Sequence, residues 1–174
     1  MKFGVLQFFS WSRRIPLTTV YERAFSRIEI MDRTGYDCVW LAEHHFSTYS
    51  VCPSINVMAT HVAARTRKLR IGMAVSLAAF YNPLRLAEEV ALVDVLSGGR
   101  LDLWVGVGWQ REEYGAAGLD FDQRGRLLDQ TLEICQLLWR EPRASYTSPE
   151  LSFDGIHMMP KPVQPGGVPI WVSG

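Results

Sequence analysis

Residues Tyr36–Phe46 read YDCVWLAEHHF, and the fold prediction depends on this stretch. Residues 38–41 (CVWL) form a short apolar run, which predicts a strand buried on both faces. Three ionisable side chains, Glu43, His44 and His45, follow it directly. In parallel sheets and barrels the reactive groups lie at the carboxyl ends of the strands. The stretch therefore predicts a functional site at that edge of a parallel sheet.

The rest of the chain alternates strands with helices, which predicts a parallel sheet with right-handed crossovers. Residues 140–167, rich in proline, glycine and aromatic residues, predict an extended, hairpin-like insertion. This order fits a doubly wound sheet or the first half of an eight-stranded barrel. We predict strands at 2–9, 38–41, 69–77, 101–107 and 169–173. The first predicted helix has Thr18 or Thr19 as its cap, with Thr19 and Glu22 fitting a capping box, and ends at Gly35. Three more helices are predicted at 54–66, from Pro83 to Gly98, and at 122–139.

The composition is typical of a globular domain, with 48% hydrophobic and 21% charged residues. The formal net charge is +0, which gives no electrostatic basis for binding nucleic acid or an anionic membrane. Cys38, Cys52 and Cys135 form no CxxC motif and indicate reduced thiols. The sequence shows neither a signal peptide nor an apolar run of about 20 residues. We therefore expect a cytoplasmic protein that does not cross a membrane.

Four blocks together resemble the luciferase-like flavin monooxygenases, a superfamily that includes bacterial luciferase chains, alkane-sulfonate monooxygenases and deazaflavin (F420)-dependent oxidoreductases. The blocks are MKFGVLQFF (1–9), GYDCVWLAEHHF (35–46), the long block from LRIGMAVSL to REEYGAAG (69–118) and PKPVQPGGVPIWVSG (160–174). The resemblance implies an α/β fold of the TIM (β/α)8-barrel type with a flavin at its C-terminal face. Residues 1–174 would form a single barrel domain, incomplete at the C-terminus, with four βα units, the insertion and the fifth strand.

The resemblance also implies an activity. It is that of a reduced-flavin-dependent monooxygenase, which activates O2 through a C4a-peroxyflavin and oxidises a small organic substrate. A partner flavin reductase would supply reduced FMN, and the protein would form a homodimer. Three alternatives stay open: an F420-dependent hydride-transfer oxidoreductase, a non-catalytic flavin-binding subunit, and a fragment that is inactive on its own because half of the barrel is missing.

His44 matches the active-site histidine of this family in the EHHF block. An imidazole titrates near neutrality, which suits the proton transfers of the reaction. The alternative is a strand-end histidine that only bonds a loop. Glu43 either holds an imidazole or faces the helix layer. Adjacent residues on a strand diverge, and no HxH or HExxH spacing occurs, so we expect no metal site.

The resemblance places the flavin against the ends of three other strands. It implies a non-prolyl cis peptide at Ala74–Val75, with Val75–Ser76 as the second choice. Small residues let a backbone approach a planar cofactor. The proposed cofactor contacts are Ala74, Val75, Gly106, Val107, Trp109 and Ser173.

Two of these positions differ from the luciferase chains. Gly106 and Val107 stand where those chains have a cysteine and a phosphate-binding arginine, so GVGW is more similar to the deazaflavin-dependent branch. Arg111 either supplies phosphate charge or is a solvated loop residue. Trp109 follows a strand end and is expected to touch a ring, whereas Trp11, Trp40 and Trp104 are predicted to pack in the core or barrel wall.

Overall fold

The computed structural model describes residues 1–173, which divide into two units. The first unit comprises Met1–Ser76, Arg100–Gly106 and the chain from Pro169 onward, and the second comprises Leu77–Gly99 and Val107–Val168. In chain order the elements are β1 (Gly4–Gln7), α1 (Leu17–Thr34), β2 (Cys38–Leu41), α2 (Ile55–Arg65), β3 (Arg70–Ser76), α3 (Pro83–Ser97), β4 (Leu101–Val105), α4 (Arg111–Ala116), α5 (Arg124–Arg140), β5 (Ala144–Thr147), β6 (Ser152–Ile156) and β7 (Ile170–Val172).

The first unit is built on a parallel sheet with the strand order β1-β2-β3-β4-β7. Alternate residues of the inner strands are fully buried, with 0% exposure for Val39, Leu41, Ile71 and Met73. Helix α2 packs against β2 and β3 and against α1. The parallel register brings the carboxyl ends of all five strands to one edge of the sheet.

The other alternate positions place large side chains in register with small ones. Trp40 pairs with Gly72, and Trp104 pairs with Ala74. The two indole rings meet edge to face with centroids 5.5 Å apart. Because residues at alternate positions share one face of a sheet, Gly72 provides the space that the Trp40 ring occupies.

The second unit contains α3, α4, α5 and an antiparallel hairpin of β5 and β6. Helix α3 packs against α5, and the indole N–H of Trp139 donates to the carbonyl of Ala87 at 3.0 Å. The buried carboxylate of Asp94 accepts the backbone N–H groups of Val163 and Gln164, at 2.8 and 3.2 Å. These bonds attach the end of the insertion to α3.

All five predicted strands and all four predicted helices are present, and the hairpin in the insertion is confirmed. Gly35 and Gly98 end α1 and α3 in the left-handed region, as predicted. Asn82 caps α3 by accepting from Leu84 N at 3.0 Å, with Pro83 in the first turn.

The capping box predicted at Thr19 is wrong. Helix α1 begins two residues earlier, at Leu17, after Pro16 and without a side-chain cap. The proline ring holds φ near the helical value, here −49°. The carbonyl of Pro16 accepts the N–H of Thr19 at 3.0 Å, so Thr19 already lies inside the first turn.

Two other differences concern β4 and α4. Strand β4 ends at Val105, two residues short of the predicted end, where its register with β3 shifts between Ala74 and Ser76. Helix α4 was not predicted, because six residues are too few to show a helical period. Within residues 1–173, no helix combines the length and apolarity that a membrane crossing requires.

Candidate functional site

His44 lies just beyond the carboxyl end of β2, half-buried between two loops. Its backbone N–H donates to the carbonyl of Cys52 at 3.0 Å. Its ring stacks on Phe8, which follows β1, with centroids 6.0 Å apart and an interplanar angle of 27°. Tyr49 meets the imidazole edge to face at 5.2 Å. Two aromatic rings and a main-chain bond therefore orient His44.

A cavity of about 350 Å³ opens beside His44. Its walls are formed by the loop after β1, the loop after β2 and Tyr21 of α1. The indole N–H of Trp11 donates to the carbonyl of Ile15 at 2.7 Å, and the hydroxyl of Tyr21 donates to the carbonyl of Val51 at 2.7 Å. The volume suits a small organic molecule. The lining residues are Trp11, Tyr21, His44, Phe46, Ser47, Thr48, Val51 and Pro53.

Glu43 holds an imidazole, one of the two roles expected for it. Its side chain is 0% exposed, and its Oε1 lies 3.1 Å from Nε2 of His45. The two histidines thus differ in their surroundings. His45 contacts a buried carboxylate, whereas His44 faces the cavity.

Tyr21, which lines the cavity, and Cys52, which lies between the lining residues Val51 and Pro53, both have raised pKa values. Burial, aided by the charge of Glu43, raises the pKa of the Cys52 thiol to about 12. Burial, followed by an electrostatic interaction with Cys52, also raises the pKa of the Tyr21 phenol. Both groups are therefore uncharged at neutral pH.

A second group of predicted residues meets at the carboxyl ends of β3, β4 and β7. The peptide bond between Ala74 and Val75 is cis, which confirms the expected position. A β-carbon on Gly106 would lie 3.1 Å from Cγ2 of Val75 and 3.0 Å from Oγ of Ser173. The absence of a side chain at Gly106 therefore allows Val75 and Ser173 to approach the backbone at the carboxyl end of β4 closely.

The chemistry of this edge fits a planar cofactor. Ala74 and Val75 are half-buried, small and apolar, and Gly106 carries no side chain. The hydroxyl of Ser76, the next residue along β3, is buried and has no hydrogen-bond partner within residues 1–173. A flat ring could lie against the small residues.

Val107 and Trp109 belong to the second unit. The carbonyl of Val107 accepts the hydroxyl of Tyr114, and Trp109 is 76% exposed. Arg111 lies 3.2 Å from Asp122. The guanidinium of Arg111 therefore forms an ion pair with the carboxylate of Asp122.

Phe8 and Tyr49 were not predicted as partners of His44. Phe8 lies inside the predicted strand 2–9 but directly follows β1 in the structure, and Tyr49 lies in a loop without a periodic pattern. Only an aromatic residue next to a strand end could have indicated Phe8. Within the described residues, no three His, Cys, Asp or Glu side chains are grouped closely enough to bind a metal.

The chain is similar to several monooxygenases. It is 28% identical over 156 residues to the oxygenase component of flavin-dependent trigonelline monooxygenase from Acinetobacter baylyi, covering 88% of this chain and 43% of that protein. The crystal structure of the monooxygenase RslO1 from Streptomyces bottropensis superposes with a TM-score of 0.94 at 28% identity, over 99% of this chain and 53% of that chain. The chain thus spans about half the length of these proteins.

Two more distant structures share the fold. The oxygenating constituent of 3,6-diketocamphane monooxygenase from Pseudomonas putida, a complex with FMN, has a TM-score of 0.88 at 16% identity, over 100% of this chain and 51% of that chain. An F420-dependent secondary alcohol dehydrogenase with an F420–acetone adduct has a TM-score of 0.78 at 21% identity, over 100% and 53%. The predicted α/β fold of the TIM-barrel type is confirmed. The model of the luciferase-like monooxygenases matches residues 1–174, and the chain belongs to this family.

Proposed function

We propose that the protein is the oxygenase component of a two-component, reduced-flavin-dependent monooxygenase that oxidises a small organic substrate with O2. The observation that carries this proposal is the position of His44. The imidazole is held by Phe8 and Tyr49 at the wall of a cavity of about 350 Å³. This geometry suits a group that transfers protons to a bound small molecule.

The cofactor in this proposal is FMN, received in the reduced form from a separate flavin reductase. When bound, reduced FMN supplies the electrons that activate O2. Ala74, Val75, Gly106 and Ser173 would hold the ring at the carboxyl ends of β3, β4 and β7, and Val107 and Trp109 remain further proposed contacts. The small side chains at this edge support that assignment.

His44 would give a proton to, or take one from, the reacting molecule in the cavity. Phe8 and Tyr49 limit its rotation, and the backbone bond to Cys52 fixes its position along the loop. Trp11 and Tyr21 present aromatic surface to the reacting molecule at the cavity wall. A cytoplasmic homodimer, with residues 1–174 as the first part of one barrel domain, is also part of the proposal.

An F420-dependent oxidoreductase is the second candidate. Gly106 and Val107 replace the cysteine and arginine of the luciferase chains, and a structure with the same fold carries an F420 adduct. Such an enzyme transfers a hydride and consumes no O2. The two candidates therefore differ in a direct observable.

The test is a titration of the 174-residue chain with FMN and with F420, each oxidised and reduced, followed by O2 uptake with substrate. Saturable binding of reduced FMN and O2 uptake coupled to product support the monooxygenase. Binding of F420 alone, or of neither flavin by a folded chain, overturns it.

A pair of variants tests His44 itself. We expect His44→Gln to lower turnover by about 100-fold or more and to leave FMN affinity within about twofold. The control is His157→Gln, which changes an exposed histidine of the second unit. Unchanged turnover in His44→Gln would exclude the proposed role and favour a flavin-binding subunit without catalysis.

A further inference from the structure

A second cavity, of about 270 Å³, lies between the loop after β1 and helix α1. Arg13, Arg23 and Arg27 line it, together with the hydroxyl-bearing Ser10 and Ser12 and the ring of Phe8. No aspartate or glutamate is among its described lining residues. The cavity therefore concentrates positive charge in a chain whose net charge is +0.

Neighbouring carboxylates among the described residues do not neutralise the positive charges in this cavity. Arg27 Nε donates to the neutral amide oxygen of Gln7 at 3.3 Å. Within residues 1–173, the side chains of Arg13 and Arg23 form no ion pair. By contrast, Arg65 and Arg70 of the same unit are paired with carboxylates at 2.6 Å. Uncompensated guanidinium groups around a concave surface attract anions.

The three arginine side chains are exposed, and the backbone segments that carry them are held in place. Arg23 and Arg27 are four residues apart on α1 and so project from the same face of the helix. Arg13 comes from the loop, which is held by Trp11. The backbone N–H of Trp11 donates to the carbonyl of Thr48 at 3.2 Å, and its indole N–H donates to the loop carbonyl of Ile15 at 2.7 Å.

We propose that this cavity binds an oxyanion group, a phosphate or a carboxylate, close to His44. Guanidinium forks match the oxygen geometry of both groups, and the serine hydroxyls offer further donors. Phe8 lines this cavity, and its ring stacks on His44 at 6.0 Å. An anion held here lies one aromatic ring from the proposed proton-transfer group.

Two molecules could carry this anion: the organic substrate, as its charged head group, or the flavin, as its phosphate. Naming either source rests on the proposed function, whereas the anion site itself does not. The two sources predict different effects of the arginine substitutions on flavin affinity, so one set of variants distinguishes them.

The first experiment measures binding of inorganic phosphate and of acetate to the 174-residue chain by calorimetry. We expect the double variant Arg13→Gln/Arg23→Gln to weaken both by about tenfold or more, and added NaCl to weaken binding to the wild type. Arg33→Gln, an exposed arginine of the same helix outside the cavity, should bind as the wild type does. Equal binding by the double variant and the wild type would overturn the site.

A conservative variant guards against a folding effect. Arg23→Lys keeps the charge and loses the fork, so we expect affinity between those of the wild type and the double variant, with an unchanged circular dichroism spectrum. If phosphate affinity falls only in variants whose spectrum is altered, and Arg23→Lys keeps both its spectrum and the wild-type affinity, the site is rejected.

The second experiment compares FMN with riboflavin. If the flavin phosphate occupies the cavity, the double variant weakens FMN binding but not riboflavin binding, and phosphate competes with FMN. If a substrate head group occupies it, FMN affinity is unchanged and acetate binds to the FMN complex. Failure of the chain to bind any flavin while phosphate binding persists would reject the proposed function and leave the anion site standing.

Discussion

Nε2 of His45 lies 3.1 Å from Oε1 of Glu43, whose side chain is 0% exposed. Removing the imidazole would deprive a buried carboxylate of a donor, which is more costly than losing an exposed contact. We expect His45→Ala to lower the free energy of unfolding by about 1–3 kcal/mol, measured by urea denaturation. His44→Ala removes a half-buried ring that faces a cavity, and it should lower the free energy of unfolding by less. Equal losses in the two variants would contradict the assignment of a structural role to His45 and a functional role to His44.

Gly72 is the position where a single methyl group should disturb the sheet most. A β-carbon there would lie 1.9 Å from Cε3 of Trp40, and Gly72 is buried. The displaced Trp40 would lose its edge-to-face contact with Trp104. We expect Gly72→Ala to destabilise the protein by about 1–3 kcal/mol and to change the near-ultraviolet circular dichroism.

The control for this prediction is Gly125→Ala. Gly125 lies in the first turn of α5, and no atom lies within 4 Å of the position that a β-carbon on it would take. Alanine has the higher helix propensity, so the variant should be as stable as the wild type or slightly more so. A stable Gly72→Ala with an unchanged spectrum would show that Trp40 can move at little cost.

The fold was predictable wherever its signals are local. The apolar run of β2 and the helix-ending glycines Gly35 and Gly98 depend on neighbouring residues only, and the structure has them as predicted. The start of α1 depends on Pro16, whose effect on φ outweighed the capping pattern at Thr19. Two local signals compete there, and the residue types alone do not say which one prevails.

The site was predictable only in part, for a physical reason. The position of His44 follows from the strand before it, whereas its contacts with Phe8 and Tyr49 join three loop segments through tertiary packing. The grouping of Arg13 and Arg23 likewise requires the path of the loop that Trp11 holds. Such contacts leave no periodic trace in the sequence.

Asp32 should contribute to stability in a pH-dependent way. Burial raises the pKa of Asp32, but backbone N–H donors from Leu69, Lys68 and Arg67, at 2.7, 2.8 and 3.0 Å, outweigh it and hold the pKa below its ordinary value. The folded state therefore releases this proton more readily than the unfolded state. The stabilisation is fully present above the unfolded pKa of about 3.9 and is lost as the pH falls through the folded pKa.

The measurement is the free energy of unfolding between about pH 5 and pH 3. We expect Asp32→Asn to be less stable than the wild type at neutral pH and to lose less stability on acidification. Asp129→Asn, which changes an exposed carboxylate of α5, should follow the wild-type curve. Parallel curves for Asp32→Asn and the wild type would show that the three N–H bonds do not favour the ionised form.

The three cysteines should be unreactive in the folded protein. Burial raises the pKa of the thiols of Cys38, Cys52 and Cys135 to about 12 each, with nearby carboxylates, Asp102 for Cys38 and Glu43 for Cys52, adding to the effect. Only the thiolate attacks a disulfide reagent. At about pH 8 we expect Ellman's reagent to modify none of them on the timescale of minutes and all three after denaturation. Rapid modification of the native chain would mean that at least one thiol is accessible.

Arg100, the residue before β4, links the end of α2 to the loop that leads into β3. Its guanidinium donates to Oγ1 of Thr66 and the carbonyl of Leu69, both at 2.8 Å, and to the carbonyls of Ala63 and Thr66 at 3.1 and 3.2 Å. These acceptors include carbonyls that the end of a helix leaves unpaired. A lysine ammonium has three donors at a single point and cannot span the same set.

We therefore expect Arg100→Lys to lower the free energy of unfolding by about 1–3 kcal/mol although the charge is kept. Amide hydrogen exchange should show faster exchange in the last turn of α2, because the turn is no longer held to the loop after it. The control is Arg67→Lys, which changes an exposed side chain in the loop just after α2. It should alter neither the free energy of unfolding nor the exchange rate. If Arg100→Lys is as stable as the wild type and its exchange is unchanged, charge alone accounts for the contribution of Arg100, and the fork geometry is not needed.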